Sequence, residues 1–283
     1  MSLIQWYPGH IAKAEKQLKE QLKQVDVVLE VRDARIPLAS HHPEINNWLG
    51  TKPKLLVINR VDMIGEKAHQ QWLNWFRQQG EEPYFTNGKT GEGIKAVTKA
   101  AQLVGVKVNE KRRSRGLLPR PVRAVVIGFP NVGKSALINR LLNRKVVASA
   151  RRAGVTRQLR WVRLSESIEL LDAPGIIPVK LENQTDAVKL AICEDIGEAA
   201  YDNQLIAITL VDLLAELNVE KVLTTRYNLP LETMTGEEYL EKLAIRRYQE
   251  DKEKTAMALL NDFRTGNLGA IALEFPPLNQ QKL

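Results

Sequence analysis

Short apolar runs alternate with stretches of helical period over the first two-thirds of the chain; the pattern then changes. Residues 25–31 (VDVVLEV), 54–58 (KLLVI) and 122–127 (VRAVVI) are nearly continuous in apolar side chains, as strands covered on both faces are. Residues 84–85 predict a short strand, and 159–164 with 168–171 a strand pair. Between these, 11–24, 43–49, 66–79, 94–104 and 134–142 carry the spacing of helices. Trp72, Trp75 and Phe76 sit at that spacing, so core packing is expected of them rather than base stacking. Strand alternating with helix implies a mostly parallel sheet with helices on both faces. Residues 105–121 are basic and contain Gly116, Pro119 and Pro121, which reads as a linker, and 144–158 read as a mobile loop. Beyond about residue 185 no strong strand follows, and 186–200, 202–217, 236–247 and 250–263 predict helices. The expected organisation is an α/β domain over 1–180 and a smaller all-helical domain over 181–283.

Two features of composition change this picture. The 283 residues carry one cysteine, Cys193, which excludes an internal disulfide and any zinc module needing several cysteines. Cys193 is expected as a small buried residue on a helix. The net charge of +8 is unevenly spread. Residues 186–283 hold 10 basic and 17 acidic side chains, leaving residues 1–185 with 31 basic and 16 acidic. The surplus gathers at Lys111, Arg112, Arg113, Arg115, Arg120 and Arg123, and between Arg140 and Arg163, where no acid intervenes. Such clusters suit a polyanion, RNA foremost, though a solvated basic surface has the same composition. In the acidic C-terminal part Lys242, Arg246 and Arg247, extended by Lys252 and Lys254, offer a smaller basic stripe or are ordinary surface charges. No run is long and apolar enough to span a bilayer, and the first ten residues resemble neither a secretory signal nor a transit peptide. A cytoplasmic protein is expected.

The motifs that carry chemistry follow predicted strands. Gly128-Phe-Pro-Asn-Val-Gly-Lys-Ser135 fits G-x-x-x-x-G-K-[ST] between a strand and a helix. Backbone N–H groups of such a loop (Asn131, Val132, Gly133) surround phosphates. Lys134 reaches the β- and γ-phosphates, the Ser135 hydroxyl binds Mg²⁺, and the Ala136 N–H lies near the α-phosphate. Asp172-Ala-Pro-Gly175 follows the strand ending at Leu171; its carboxylate can hold Mg²⁺ through water, and Gly175 can offer an N–H to the γ-phosphate. Thr156, between these motifs, can add a hydroxyl to the metal. Asn59-Arg60-Val61-Asp62 follows another strand and is similar to the Asn-Lys-x-Asp motif that reads guanine. The Asp62 carboxylate can accept from guanine N1–H and N2–H₂, a donor pair adenine lacks, and Asn59 can address the O6/N7 edge. Arg60 stands where lysine is usual, and its stem can pack along the base. Asn87 and Gly88, after the next strand, fit the loose last motif whose backbone supports guanine O6.

Order is the strongest signal. The base-reading motifs precede the phosphate motifs, the reverse of an ordinary GTPase. A parallel sheet whose termini lie close together can be re-cut in this way. The fold expected is α/β, a circularly permuted P-loop GTPase. With Trp6-Tyr7-Pro8-Gly9-His10 at the start and helices at the end, the chain resembles the ribosome biogenesis GTPase A family over nearly its whole length. That resemblance implies GTP hydrolysis, with GTP and GDP as substrate and product. It also implies late assembly of the bacterial large ribosomal subunit, contact with ribosomal RNA and ribosomal proteins, and stimulation by the particle. A GTP-sensing RNA-binding scaffold with incidental hydrolysis is the alternative.

Ile176 occupies the place where many GTPases carry a water-orienting glutamine, and an isoleucine cannot polarise water. The Pro-Gly-His pattern implies His10 for that task, unless it is structural or contacts RNA. Asn131 at its loop position implies potassium use, unless it is only a loop residue. His41 and His42 are expected in a loop and His69 on a helix surface. The 172–185 segment runs directly into the helical domain, so nucleotide state is expected to move that domain.

Overall fold

The structure is a computed structural model, and it describes residues 16, 18–142, 160–163, 166–172, 183–197 and 200–277. Its sheet comprises β1 (Val27–Asp33), β2 (Lys54–Asn59), β3 (Pro83–Thr86), β4 (Val122–Ile127), β5 (Arg160–Arg163) and β6 (Ile168–Asp172), in the order β3-β2-β1-β4-β6-β5. Neighbours pair in parallel except β5, which runs antiparallel to β6 at one edge. β1 lies between β2 and β4, where a re-cut GTPase sheet is expected to place it.

Alternation along β1 feeds two cores. Val27, Leu29 and Val31 join one face, whereas Val28 packs on the other with Leu18, Leu22, Ile45 and Leu49. That is why a continuous apolar run is required: neither face meets water. Helices α1 (Ile45–Leu49), α2 (Glu66–Gln78), α3 (Ile94–Arg113) and α4 (Lys134–Leu141) connect the strands. On α2, Trp72 is fully buried and Phe76 nearly so, against Leu56 and Ile58 of β2, so these aromatics are core residues.

The linker expected at 105–121 begins later than its composition suggests. α3 continues to Arg113. Gly105 lies against Val122 closely enough that a Cβ there would be 3.3 Å from its side chain, and the following lysines, valines and glutamate need no break. Lys111, Arg112 and Arg113 are the last turn of this helix, where cations suit the C-terminal partial charge. Only the part containing Gly116, Pro119 and Pro121 is irregular.

From residue 183 on, the described residues form α5 (Gln184–Ile192), α6 (Asn203–Glu216), α7 (Lys221–Tyr227), α8 (Gly236–Arg247) and α9 (Lys252–Thr265). Asn183, Asp202, Thr235 and Asp251 cap four of them through their side chains. α7 has no counterpart in the sequence reading. α5 stops well short of residue 200, because Glu194 turns left-handed (φ 65°). The Asp195 N–H then closes on Leu190 O at 2.8 Å and the Glu194 N–H on Ala191 O at 3.0 Å, a Schellman end. Cys193 caps this helix and is fully buried.

These helices do not form a separate core. Ile192, Leu210, Leu240 and Phe263 share one apolar cluster with Val27, Val126 and Leu137. The chain then returns to the sheet. Leu273 N–H donates to Arg35 O at 2.9 Å, and Trp72 Nε1 donates to Glu274 O at 3.3 Å. The buried Glu274 carboxylate accepts from Leu38 N–H (2.8 Å) and Ala39 N–H (3.2 Å) and pairs with Lys189 (3.2 Å).

Candidate functional site

The parallel register brings the ends of β1, β2 and β3 into line. Asp33 lies opposite Asn59 and Asn59 opposite Thr86, while β4 runs from Ile127 into the phosphate-type loop on the other side of β1. Asp172, the last residue of β6, is in register with Val126 of β4. Every motif in the described residues therefore emerges at the carboxyl edge of one sheet, the usual place for a ligand in an open α/β fold.

The loop from Gly128 to Gly133 takes backbone shapes that side chains resist. Gly133 has φ 97°, and a Cβ on it would fall 2.1 Å from Asn59 Nδ2. Gly128 has φ 156°, and its Cβ would fall 2.2 Å from Val31 O. Asn131 adopts φ 57°, a left-handed shape asparagine tolerates. Lys134, buried at the start of α4, donates from Nζ to Phe129 O at 2.8 Å across the loop. Ser135 and Ala136 follow in the first turn and are half-buried.

Asn59 joins this loop to the base-reading segments. Its Nδ2 donates to Val132 O at 2.9 Å, and its Oδ1 accepts from Thr86 Oγ1 and Gly88 N–H, each at 3.1 Å. The carboxamide expected at a purine edge is thus engaged first in fastening three loops together. Asn87 shapes the last of these through an Asx turn, its Oδ1 accepting from Lys89 N–H (2.8 Å) and Thr90 N–H (3.2 Å). Arg140 of α4 holds the same segment from outside, through Gly88 O (3.2 Å) and Lys89 O. Gly88 lies so near α4 that a Cβ on it would be 3.1 Å from the Ala136 Cβ. Val61 and Asp62 form a short 3-10 turn, and the Asp62 carboxylate, one-third exposed, is 3.9 Å from Lys89 Nζ.

Arg60 points its guanidinium into the protein. Its backbone is left-handed (φ 63°, ψ 39°). One nitrogen donates to Asn131 O at 2.5 Å and another is 3.4 Å from Asp33 Oδ2. The physical reason is the buried carboxylate of Asp33. Burial pushes that carboxyl up, but Arg35 and then Arg60 hold it below the usual aspartate value. Arg35, itself fully buried, grips Asp33 with Nε (3.0 Å) and Nη2 (2.7 Å) and also donates to Cys193 O at 3.3 Å. Asn131 Nδ2 donates to Glu194 O at 2.7 Å. The adjacent Asp195 is fully buried, and neither carboxylate oxygen has a hydrogen-bond partner among the described residues. Burial, and Asp33 nearby, push its carboxyl well up despite Arg60, Arg35 and Lys134.

The sequence reading missed Asp33, Arg35, Asp195 and a second charged group. Glu30 is buried in β1 and receives Arg32 (2.7 Å) and His41 Nδ1 (2.6 Å), with Lys54 at 3.3 Å. His41 is therefore a hydrogen-bond partner of Glu30 within its loop, while His42 is buried against Trp48. Charges at 30, 32 and 33 in a strand covered on both faces, and at 35 just after it, were the available signal, because buried charge must be paired. His10, Thr156 and Gly175 lie outside the described residues, as do Ile176 and the side chain of Asp172. Among the described residues no three His, Cys, Asp or Glu gather as metal ligands, and no helix is long and apolar enough to cross a membrane.

Residues 123–259 match the model of the 50S ribosome-binding GTPase family. Fold and site together define a P-loop GTPase with its motifs in permuted order, an enzyme that hydrolyses GTP. The chain is 34% identical to ribosome biogenesis GTPase A of Bacillus cereus, over 97% of this chain and 94% of that one. It is also 34% identical to the same protein of Priestia megaterium, over 99% of both. A GDP-bound YlqF structure superposes with a TM-score of 0.67 at 25% identity, over 92% of this chain and 99% of that one. The chain belongs to the ribosome biogenesis GTPase A family.

Proposed function

We propose that this GTPase acts in the cytoplasm in late maturation of the bacterial large ribosomal subunit, bound to ribosomal RNA and ribosomal proteins, and that the particle stimulates its hydrolysis. The observation that carries the nucleotide site is the Asn59 bridge, which ties the phosphate loop to both guanine-reading segments. Family membership supports the assembly role. The excess of basic side chains in residues 1–185 supports an RNA partner. On this reading residues 1–180 form the GTPase module and 181–283 the helical module that follows nucleotide state.

In the reaction, backbone N–H groups of 131–136 surround the phosphates, and Lys134 exchanges Phe129 O for the β- and γ-phosphate oxygens. Ser135, one residue beyond that lysine, and Asp172, at the same sheet edge, suit a hard oxygen-seeking cation. Mg²⁺, when bound there with help from Thr156, supplies positive charge to the phosphate oxygens. Gly175 offers its N–H to the γ-phosphate. Asp62 accepts from guanine N1–H and N2–H₂, with Val61 and the backbone at 87–88 beside the base. His10 orients the attacking water in place of the glutamine that Ile176 displaces. Asn131, held through its nitrogen by Glu194, would offer its side-chain oxygen to potassium, which would supply positive charge to the site.

Phosphate release by wild type and His10→Ala, alone and with purified large ribosomal subunits, in potassium and in sodium buffer, tests this. Expected is strong stimulation by the particle that is lost in His10→Ala and weaker in sodium. Stimulation that survives in His10→Ala would remove His10 from the mechanism. Equal rates in the two salts would remove Asn131 as a potassium ligand. No stimulation of either protein would favour a GTP-sensing RNA-binding scaffold with incidental hydrolysis.

A further inference from the structure

Five contacts in the described site close on themselves. Arg60 joins the guanine-reading segment to the phosphate loop at Asn131 O and to β1 at Asp33. Asp33 is held by Arg35, and Arg35 reaches Cys193 O. The next carbonyl, Glu194 O, accepts from the Asn131 side chain. The phosphate loop, β1 and the C-terminal end of α5 thus form one ring of hydrogen bonds and ion pairs, with Asn131 gripped at both its carbonyl and its amide. A lysine at position 60 ends in a single nitrogen. The planar guanidinium holds Asn131 O and Asp33 in a fixed relation, which an ammonium on a flexible stem does not.

We propose that Arg60 is a positioning residue that couples nucleotide binding at the phosphate loop to the α5 turn Cys193–Asp195, through Asp33 and Arg35. Phosphate binding orders the loop around Asn131. Because the ring is closed, that order passes to the turn both directly, through Glu194 O, and through β1. Coupling of this kind is reciprocal: a ligand that displaces the α5 turn loosens the nucleotide by the same factor. The route is distinct from the 172–185 segment, and it rests on the nucleotide site assigned above.

Hydrogen exchange of the full chain, free and with saturating GDP, reads this directly, since the Glu194 and Asp195 amides are bonded within α5. In wild type, GDP is expected to slow exchange over 190–196 by about fivefold or more, the lower end of ordinary coupling. In Arg60→Lys with GDP saturating, 128–137 stay protected while the gain over 190–196 falls at least about twofold below that of wild type, the remainder passing directly through Glu194 O. Arg35→Lys breaks the ring away from the base and gives the same loss, so the outcome does not hang on one variant. A protected phosphate loop with no change over 190–196 in wild type overturns the coupling. Gains equal to wild type in both variants overturn the role of Arg60 and the ring. If GDP protects neither segment, the nucleotide site itself is wrong.

Discussion

Charged side chains decide most of what is specific to this site, and they act from inside the protein. Glu30 is the clearest case, buried between Arg32, His41 and Lys54 on a strand with no exposed face. Burial pushes its carboxyl up, but Arg32 and His41 overcome this and hold it far below the ordinary glutamate value of 4.5. A carboxyl lowered in the folded state contributes stability that is present above its unfolded value and is lost as pH falls below it. Glu30→Gln, which strands Arg32, should lose about 3 kcal/mol at neutral pH. Denaturant melts at stepped pH should show that difference shrinking as pH drops past 4.5. A gap that stays constant through this range would show that Glu30 is not charged in the folded protein.

The elements were legible where a single rule governs them. β1, β2 and β4 could be read because a strand covered on both faces has one pattern, and the phosphate loop because its glycines are forced by close contacts. Gly133→Ala tests the latter. It introduces about 1–3 kcal/mol of backbone strain besides the collision with Asn59, so GDP affinity should fall by more than about tenfold and the melting point by several degrees. Retained affinity in a calorimetric titration would show that the loop binds in another shape. Elsewhere two rules competed. The end of α3 was read as linker because its basic charge resembles an exposed tail, although cations also suit a helix C-terminus. α5 was read too long because nothing local marks Glu194 for a left-handed turn. The inward turn of Arg60 was not legible either, since it follows from Asp33, 27 positions earlier, which only the parallel register places alongside.

At the scale of the molecule, permutation moves the breaks in the chain but leaves the sheet intact. Because β1 sits beside β4, motifs separated by more than sixty residues emerge at one edge of the sheet, and order along the chain already pointed to that rearrangement. What the sequence did not announce is how far the C-terminal part is built into the sheet. It shares the sheet's apolar cluster, grips the phosphate loop at Glu194, and returns through Glu274 to the loop after β1. The central claim remains that 59–62 and 128–135 form a single guanine-nucleotide site. Titrating GDP and xanthosine diphosphate into wild type and Asp62→Asn tests it most directly, because xanthine carries an oxygen where guanine carries its N2 amine. If Asp62 reads the base, Asp62→Asn weakens GDP by at least about a hundredfold, two bonds to a charged group, and gains xanthosine diphosphate. Unchanged GDP affinity in Asp62→Asn would contradict the assignment of the site.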